Sequence, residues 1–209
     1  MNEKVKDIIE WAYCIVIALV LALLFRYFIA TPTIVKQRSM YPTLQADQRL
    51  ILNRTFRITK KKPEVGQIIT FEAPSKEYSK WEANQSVPIA VYNNEPKGLF
   101  SKFVYYNLEV TKRSYIKRVI ALEGDHVKIE NGKVYVNGEE LKEDYLQPDV
   151  ITESEVFNDF IVPEGHFFAM GDNRTKSTDC RVVGCIPFEK LEGFVCFRFW
   201  PLSLFGTID

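Results

Sequence analysis

Apolar residues are spread along this chain in two distinct ways. From Trp11 to Phe25 fifteen consecutive residues carry no charge, Arg26 interrupts, and Tyr27 to Ala30 continue the apolar character. About 20 such residues cross a bilayer core, and the stretch reaches that length if Arg26 snorkels to the interface beside Trp11, Tyr13 and Tyr27. A cleaved leader is the competing reading, but Phe28-Ile29-Ala30 puts bulky residues where a cleavage site wants small ones. An anchor over residues 11–30 is therefore expected, after a short N-terminus of residues 1–10. Lys4 and Lys6 precede it, and Arg26, Lys36 and Arg38 follow, so the count of basic residues leaves its orientation open.

Beyond the anchor the pattern shortens to runs of β type. Thr31 to Val35 reads as an extended run, with Pro32 suited to a strand start or an edge. Arg49 to Arg57 alternates in part, and Gly66 to Phe71 and Tyr115 to Leu122 are strongly β-prone. His126 to Ile129 and Lys133 to Val136 flank Glu130-Asn131-Gly132, a hairpin signal, and Asn137-Gly138 marks another turn. Phe167 to Met170 and Gly193 to Phe199 complete the strands. Residues 75–112 break the pattern, with Trp81, Tyr92, Phe100, Phe103, Tyr105 and Tyr106 among polar residues and prolines. They read either as a packed surface insertion or as a patch at a lipid boundary, where Trp and Tyr are suited. No long amphipathic helix, repeat or low-complexity tract is seen outside the anchor, so the rest of the chain is expected to be mostly β.

Composition removes some classes of function. The 209 residues carry a formal net charge of zero, so no global field favours nucleic acid. One basic run, Arg54, Arg57, Lys60, Lys61 and Lys62, reads as a solvated turn or as an attraction to anionic lipid head groups. Of the four cysteines, Cys14 lies in the anchor; Cys180 and Cys185 are near enough in sequence to pair in an oxidising compartment, though free structural thiols are the simpler reading of these and of Cys196. No Cys-x-x-Cys spacing occurs and only His126 and His166 add imidazoles, so no metal site is expected.

Candidate chemistry starts from Ser39, in Ser39-Met40-Tyr41-Pro42-Thr43, a dozen residues after the long apolar run. A serine needs a base to become a nucleophile. His126 and His166 both sit beside turn signals and read as surface histidines. A lysine is the other option, but at pH 7 only about one free lysine in 2,500 is neutral. Lys117 lies on a predominantly apolar strand, Tyr115-Ile116-Lys117-Arg118-Val119-Ile120, where burial would lower its pKa.

These two stretches, Gly124-Asp125 after the second, and Gly171-Asp172-Asn173-Arg174 with Ser177, Asp179 and Arg181 occur in that order. In this the chain resembles the type I signal peptidases, in their short Gram-positive-like form, and the resemblance runs from the anchor to Phe197-Arg198-Phe199-Trp200-Pro201. It implies a serine endopeptidase, with no cofactor, that removes signal peptides from exported preproteins through a Ser-Lys dyad. Ser39 would be the nucleophile and Lys117 the general base. Ser177 matches a position that hydrogen-bonds the lysine, and Asp179 and Arg181 match a supporting ion pair. Val35, Leu44, Tyr115 and Ile116 match residues lining pockets for small side chains one and three residues before the cut. The implied fold is a β-rich catalytic domain over 31–123 and 161–209, holding the 75–112 insertion, with a small β cap over 124–160. The implied setting is the cytoplasmic membrane, crossed once, with the catalytic domain on the extracellular face; partners would be preproteins, the lipid bilayer and the secretion translocon.

Some positions depart from the family pattern. Gln37 stands where glycine or a serine that helps bind the oxyanion is usual; its amide could donate instead. Gln67 replaces an aspartate, Ala121 and Glu123 replace glycine and proline, and Cys180 replaces a serine. Two rival readings follow: a specialised or non-catalytic paralogue acting in the assembly of surface proteins, and a self-cleaving Ser-Lys regulator. The latter is disfavoured by the anchor and by the lack of an N-terminal helix-turn-helix.

Overall fold

The computed structural model describes residues 3–83, 88–93, 96–109 and 112–208. Helix α1 spans Glu3–Phe28, 26 residues, and starts well before Trp11. Residues 3–10 extend it because they are mostly good helix formers, and Lys6 pairs with Glu10 one turn on. At 1.5 Å per residue it is about 39 Å long, more than a hydrocarbon core of about 30 Å requires. Its most apolar window is wholly unburied, which makes it a candidate membrane span. Arg26 does not point into free solvent: its Nη2 donates to the Leu108 carbonyl at 3.0 Å and lies 3.5 Å from Glu109.

Twelve strands follow among the described residues: β1 Ala30–Ile34, β2 Arg49–Asn53, β3 Ile68–Glu72, β4 Ser114–Leu122, β5 His126–Glu130, β6 Lys133–Val136, β7 Glu139–Glu140, β8 Asp159–Ile161, β9 His166–Met170, β10 Ile186–Pro187, β11 Leu191–Trp200 and β12 Gly206–Thr207. The larger sheet runs β1-β2-β11-β3-β4-β9-β10, with β12 also on β11. All the pairings in it are antiparallel. Strand β11 pairs with β3 from Leu191 to Phe194 and with β2 from Phe194 to Trp200, and register shifts at Leu191/Gly193, Val195/Phe197 and Arg198/Trp200 curl the sheet there. Gly193 is needed at this crossing, since a Cβ would meet that of Leu52 at 3.0 Å.

The smaller sheet runs β7-β6-β5-β8. Its hairpins turn where the sequence signals them, at Asn131-Gly132 and Asn137-Gly138, all four with positive φ. Val127, Ile129 and Val134 from this sheet join Phe167, Phe168 and Ile120 of the larger one in the main core. A second core, with Val35, Met40, Leu44, Leu50, Leu52, Ile68 and Val195, lies under the segment that follows β1.

Two segments differ from the sequence reading. The β-prone run from Arg49 stops at Asn53, whose side-chain oxygen accepts from the Thr55 N–H and hydroxyl, and a short helix follows over Phe56–Thr59. Among the described residues of 75–112 are three short helices, Lys80–Ala83, Leu99–Phe103 and the π-helical Val104–Leu108. Leu99 and Phe100 there are 89% and 81% exposed, while Tyr92 and Tyr105 reach inward to hydrogen-bond Glu72.

Candidate active site

Ser39 sits in a tight turn between β1 and β2, closed by the Tyr41 N–H donating to the Arg38 carbonyl and the Leu44 N–H to the Met40 carbonyl. Met40 and Leu44 are buried in the second core and pin the turn from below. Lys117 projects from β4, where Ile69 is its partner on β3. The two side chains meet, Lys117 Nζ lying 2.8 Å from Ser39 Oγ, and both residues are buried. Burial lowers the Lys117 pKa to about 8, against the opposing pull of the Asp179 carboxylate. Neutral amine at pH 7 therefore rises to roughly one molecule in ten.

The bracket that holds this pair is the turn after β9. The Asn173 N–H donates to the Ser39 carbonyl at 3.0 Å, and the Asn173 side-chain amide donates to the Arg38 carbonyl. Asp172 takes a forked pair of bonds from Arg118, the residue after Lys117, and a hydrogen bond from the Thr43 hydroxyl at 2.5 Å. One carboxylate thus ties the lysine strand to the serine turn. Arg118 also stacks 4.0 Å from the Tyr145 ring centroid. Arg174 donates to the Gly171 carbonyl, to Thr152 and to Glu143, fastening the turn to the segment between β7 and β8. None of Thr43, Arg118, Glu143, Thr152 and Asp172 was singled out for a role from sequence. Arg118 and Asp172 lie inside the motifs already quoted, while Glu143 and Thr152 carry no local signal.

Asp179 and Arg181 form a buried ion pair at 2.8 Å. Asp179 also accepts from the Gly171 and Arg181 N–H groups. Burial pushes its carboxyl up, but Arg181, the Gly171 N–H and Lys117 outweigh that and hold it below the usual range. Ser177 Oγ is buried against Gly171 and makes no hydrogen bond, so the bond to the lysine that the family resemblance implies is not formed here. Cys180 and Cys185 are buried and unpaired, and burial raises both thiols. His126 binds Asp159 on the smaller sheet and His166 the Glu164 carbonyl, neither contacting Ser39. Among the described residues no cluster of metal-ligating side chains occurs.

Gly171 is the tightest point. A Cβ there would lie 2.2 Å from Ser177 Oγ and 2.4 Å from the Ser39 carbonyl oxygen. Gly171→Ala is expected to displace the Ser39 backbone, cost about 1–3 kcal/mol of stability, and remove most catalysis. A thermal melt with a peptide-cleavage assay checks this; a wild-type melt with full activity would contradict the packing described.

A cleft of 460 Å³ opens over the Ser39–Lys117 pair, with Val35, Gln37, Tyr115 and Ile116 on its walls. Leu44 does not border it and lies fully buried in the second core, which also holds Val35. Two free strand edges lie along it. Among the described residues β1 pairs with β2 alone, and Ser114–Lys117 pair with β3 alone, since the β9 register starts at Arg118. An extended peptide placed between them would find hydrogen-bond partners on both sides. At its other end the cleft reaches Arg26, Arg54 and Glu109, in which Glu109 bridges the two guanidinium groups.

A family profile described as signal peptidase, peptidase S26, matches residues 8–200. A probable signal peptidase I-1 of Synechocystis sp. is 34% identical over 195 residues, covering 93% of this chain and 83% of that protein. Signal peptidase I P of Bacillus subtilis subsp. natto is 31% identical over 209 residues, covering 96% and 93%. The crystal structure of a signal peptidase I from Enterococcus faecalis V583 is similar at 26% identity, covering 65% of this chain and 97% of that one with a TM-score of 0.41.

Proposed function

Since the chain belongs to the signal peptidase family, peptidase S26, whose activity is the removal of signal peptides, we propose that it cuts exported preproteins with a Ser39–Lys117 dyad while held in the cytoplasmic membrane by α1. The observation that most directly supports the dyad is the 2.8 Å approach of a buried amine to a buried hydroxyl. In the ammonium form Nζ–H donates to Oγ. Once the amine is neutral the bond reverses, and Oγ–H donates to the Nζ lone pair. Lys117 then takes the proton as Oγ attacks the scissile carbonyl.

The developing oxyanion has the Ser39 N–H at hand, which donates to no group among the described residues. Gln37, exposed at the cleft wall, supplies a second donor from its side-chain amide. Protonated Lys117 returns its proton to the leaving amine, and the acyl-enzyme on Ser39 is hydrolysed by water activated in the same way. Asp179, Arg181 and Ser177 act by position, holding the turn beside the lysine. Substrate lies extended along β1 and the start of β4, with Val35, Tyr115 and Ile116 around its small side chains and Leu44 shaping the floor from behind. No cofactor takes part in any of these steps. The catalytic domain faces the extracellular side, near the point where the translocon releases preproteins.

Incubation of the detergent-solubilised full chain with a purified preprotein, followed by N-terminal sequencing of the product, tests this. A single cut after a small residue at the end of the signal peptide is expected. An intact preprotein, with the enzyme shown folded by circular dichroism, would overturn the reading.

A further inference from the structure

A second cavity, of 750 Å³, lies beside the end of α1 and outside the Ser39 cleft as described. Tyr27 and Phe28, the last residues of that helix, form one wall; Phe56, Pro63 and Phe188 continue the apolar surface. Its rim is basic. Arg57, Lys60, Lys61 and Lys62 contribute to it, and in all six basic side chains line the cavity against two carboxylates. One of those two, Glu72, is already engaged by Lys112 and Lys190.

The rim is built onto the helix end. The Arg57 guanidinium stacks 4.1 Å from the Tyr27 ring centroid and donates to the Tyr27 carbonyl at 3.1 Å. Among the described residues no carboxylate pairs with Arg57, and the Lys60 side chain has no hydrogen bond or ion pair. Lys61 and Lys62 pair with Glu64 and Glu123 while remaining exposed. Such pairs yield readily to a stronger anion, because exposed ion pairs are worth little.

We propose that this cavity holds the head group of an anionic phospholipid. The inference rests on the reading of α1 as a membrane span. The occupant must carry negative charge to meet the rim and must be apolar at one end to cover Phe56, Pro63 and Phe188. It must also lie at the level where the span leaves the bilayer, because Tyr27 and Phe28 are part of the wall. A phosphate with its glycerol backbone and first acyl methylenes meets all three demands, and 750 Å³ is a volume in which such a group fits. A soluble anion meets only the first.

The test uses the full chain in a non-ionic detergent, with native mass spectrometry to measure retained dioleoyl-phosphatidylglycerol against dioleoyl-phosphatidylcholine. One phosphatidylglycerol should be retained at least tenfold better. Lys60→Gln should weaken that retention about fivefold, the effect of one basic residue near a lipid surface, and the triple Lys60→Gln, Lys61→Gln, Lys62→Gln should bring it down to the phosphatidylcholine level. Lys4→Gln with Lys6→Gln, at the far end of α1, should leave it unchanged. Equal retention of the two lipids, an unaffected triple variant, or an equal loss in the far-end variant would overturn the proposal. Full displacement by millimolar glycerol phosphate would also overturn it, by showing a plain anion site. Preprotein cleavage measured in the same samples reports on the dyad separately, so failure of one reading is not mistaken for failure of the other.

Discussion

Cleavage of a preprotein by the Ser39→Ala variant should fall to background. Removing a nucleophile that works as a unit with its base costs roughly 10⁴–10⁶-fold in turnover. The change deletes one oxygen and the 2.8 Å contact to Lys117. The backbone bond from Asn173 to the Ser39 carbonyl does not depend on the side chain, so the turn should keep its shape. Circular dichroism and membrane insertion should therefore match the wild type. The measurement is a time course with enzyme free of host peptidases, and product at more than a trace would mean that another group attacks the peptide.

Lys117→Arg and Lys117→Met should both be inactive, but should differ in stability. A guanidinium keeps the charge and stays protonated, so it cannot accept the serine proton. Methionine removes both charge and base. In the wild type, burial lowers the amine to about pH 8, against about 10.4 in an unfolded chain. The unfolded chain then binds more protons between these two values, so the stability contribution of this group rises with pH through about 8 to 10. Below pH 8 the buried ammonium costs about 3 kcal/mol, the free-energy equivalent of that shift. Lys117→Met should thus melt higher than the wild type at neutral pH and lose this pH dependence. Wild-type activity should climb with pH through a limb near 8 as the neutral form appears. Near-normal turnover in Lys117→Arg, or an activity limb near 10, would remove lysine as the base.

Strand identities were legible where a β-prone apolar run or a turn dipeptide occurs, as along Tyr115 to Leu122 and at Asn131-Gly132. Ser39 and Lys117 were legible through order and spacing in the motifs. What escaped was mainly tertiary. The two-residue strands β7 and β10 exist only because β6 and β9 lie beside them. The short helices at 80–83 and 99–108 have no amphipathic repeat to announce them. Arg118 reads as an ordinary strand residue until Asp172 meets it across a separation of 54 residues, and Asp172 in turn takes the Thr43 hydroxyl across 129. Leu44 matched a pocket position, but chain pattern alone does not show that it is fully buried and absent from the cleft lining.

Only Ile29 lies between the end of α1 and the start of β1, and Thr31 Oγ1 donates back to the Arg26 carbonyl at 2.8 Å. With α1 in the bilayer, the sheet has no tether on which to wander. On the proposed reading the height of Ser39 above the lipid is then a constant of the molecule, and the enzyme would work as a depth gauge. A peptide whose small residues suit the cleft, but which emerges too near or too far from its own apolar segment, never brings its bond to the hydroxyl. Selectivity of this kind would need few contacts with side chains, and it would spare suitably spaced small residues elsewhere in a preprotein.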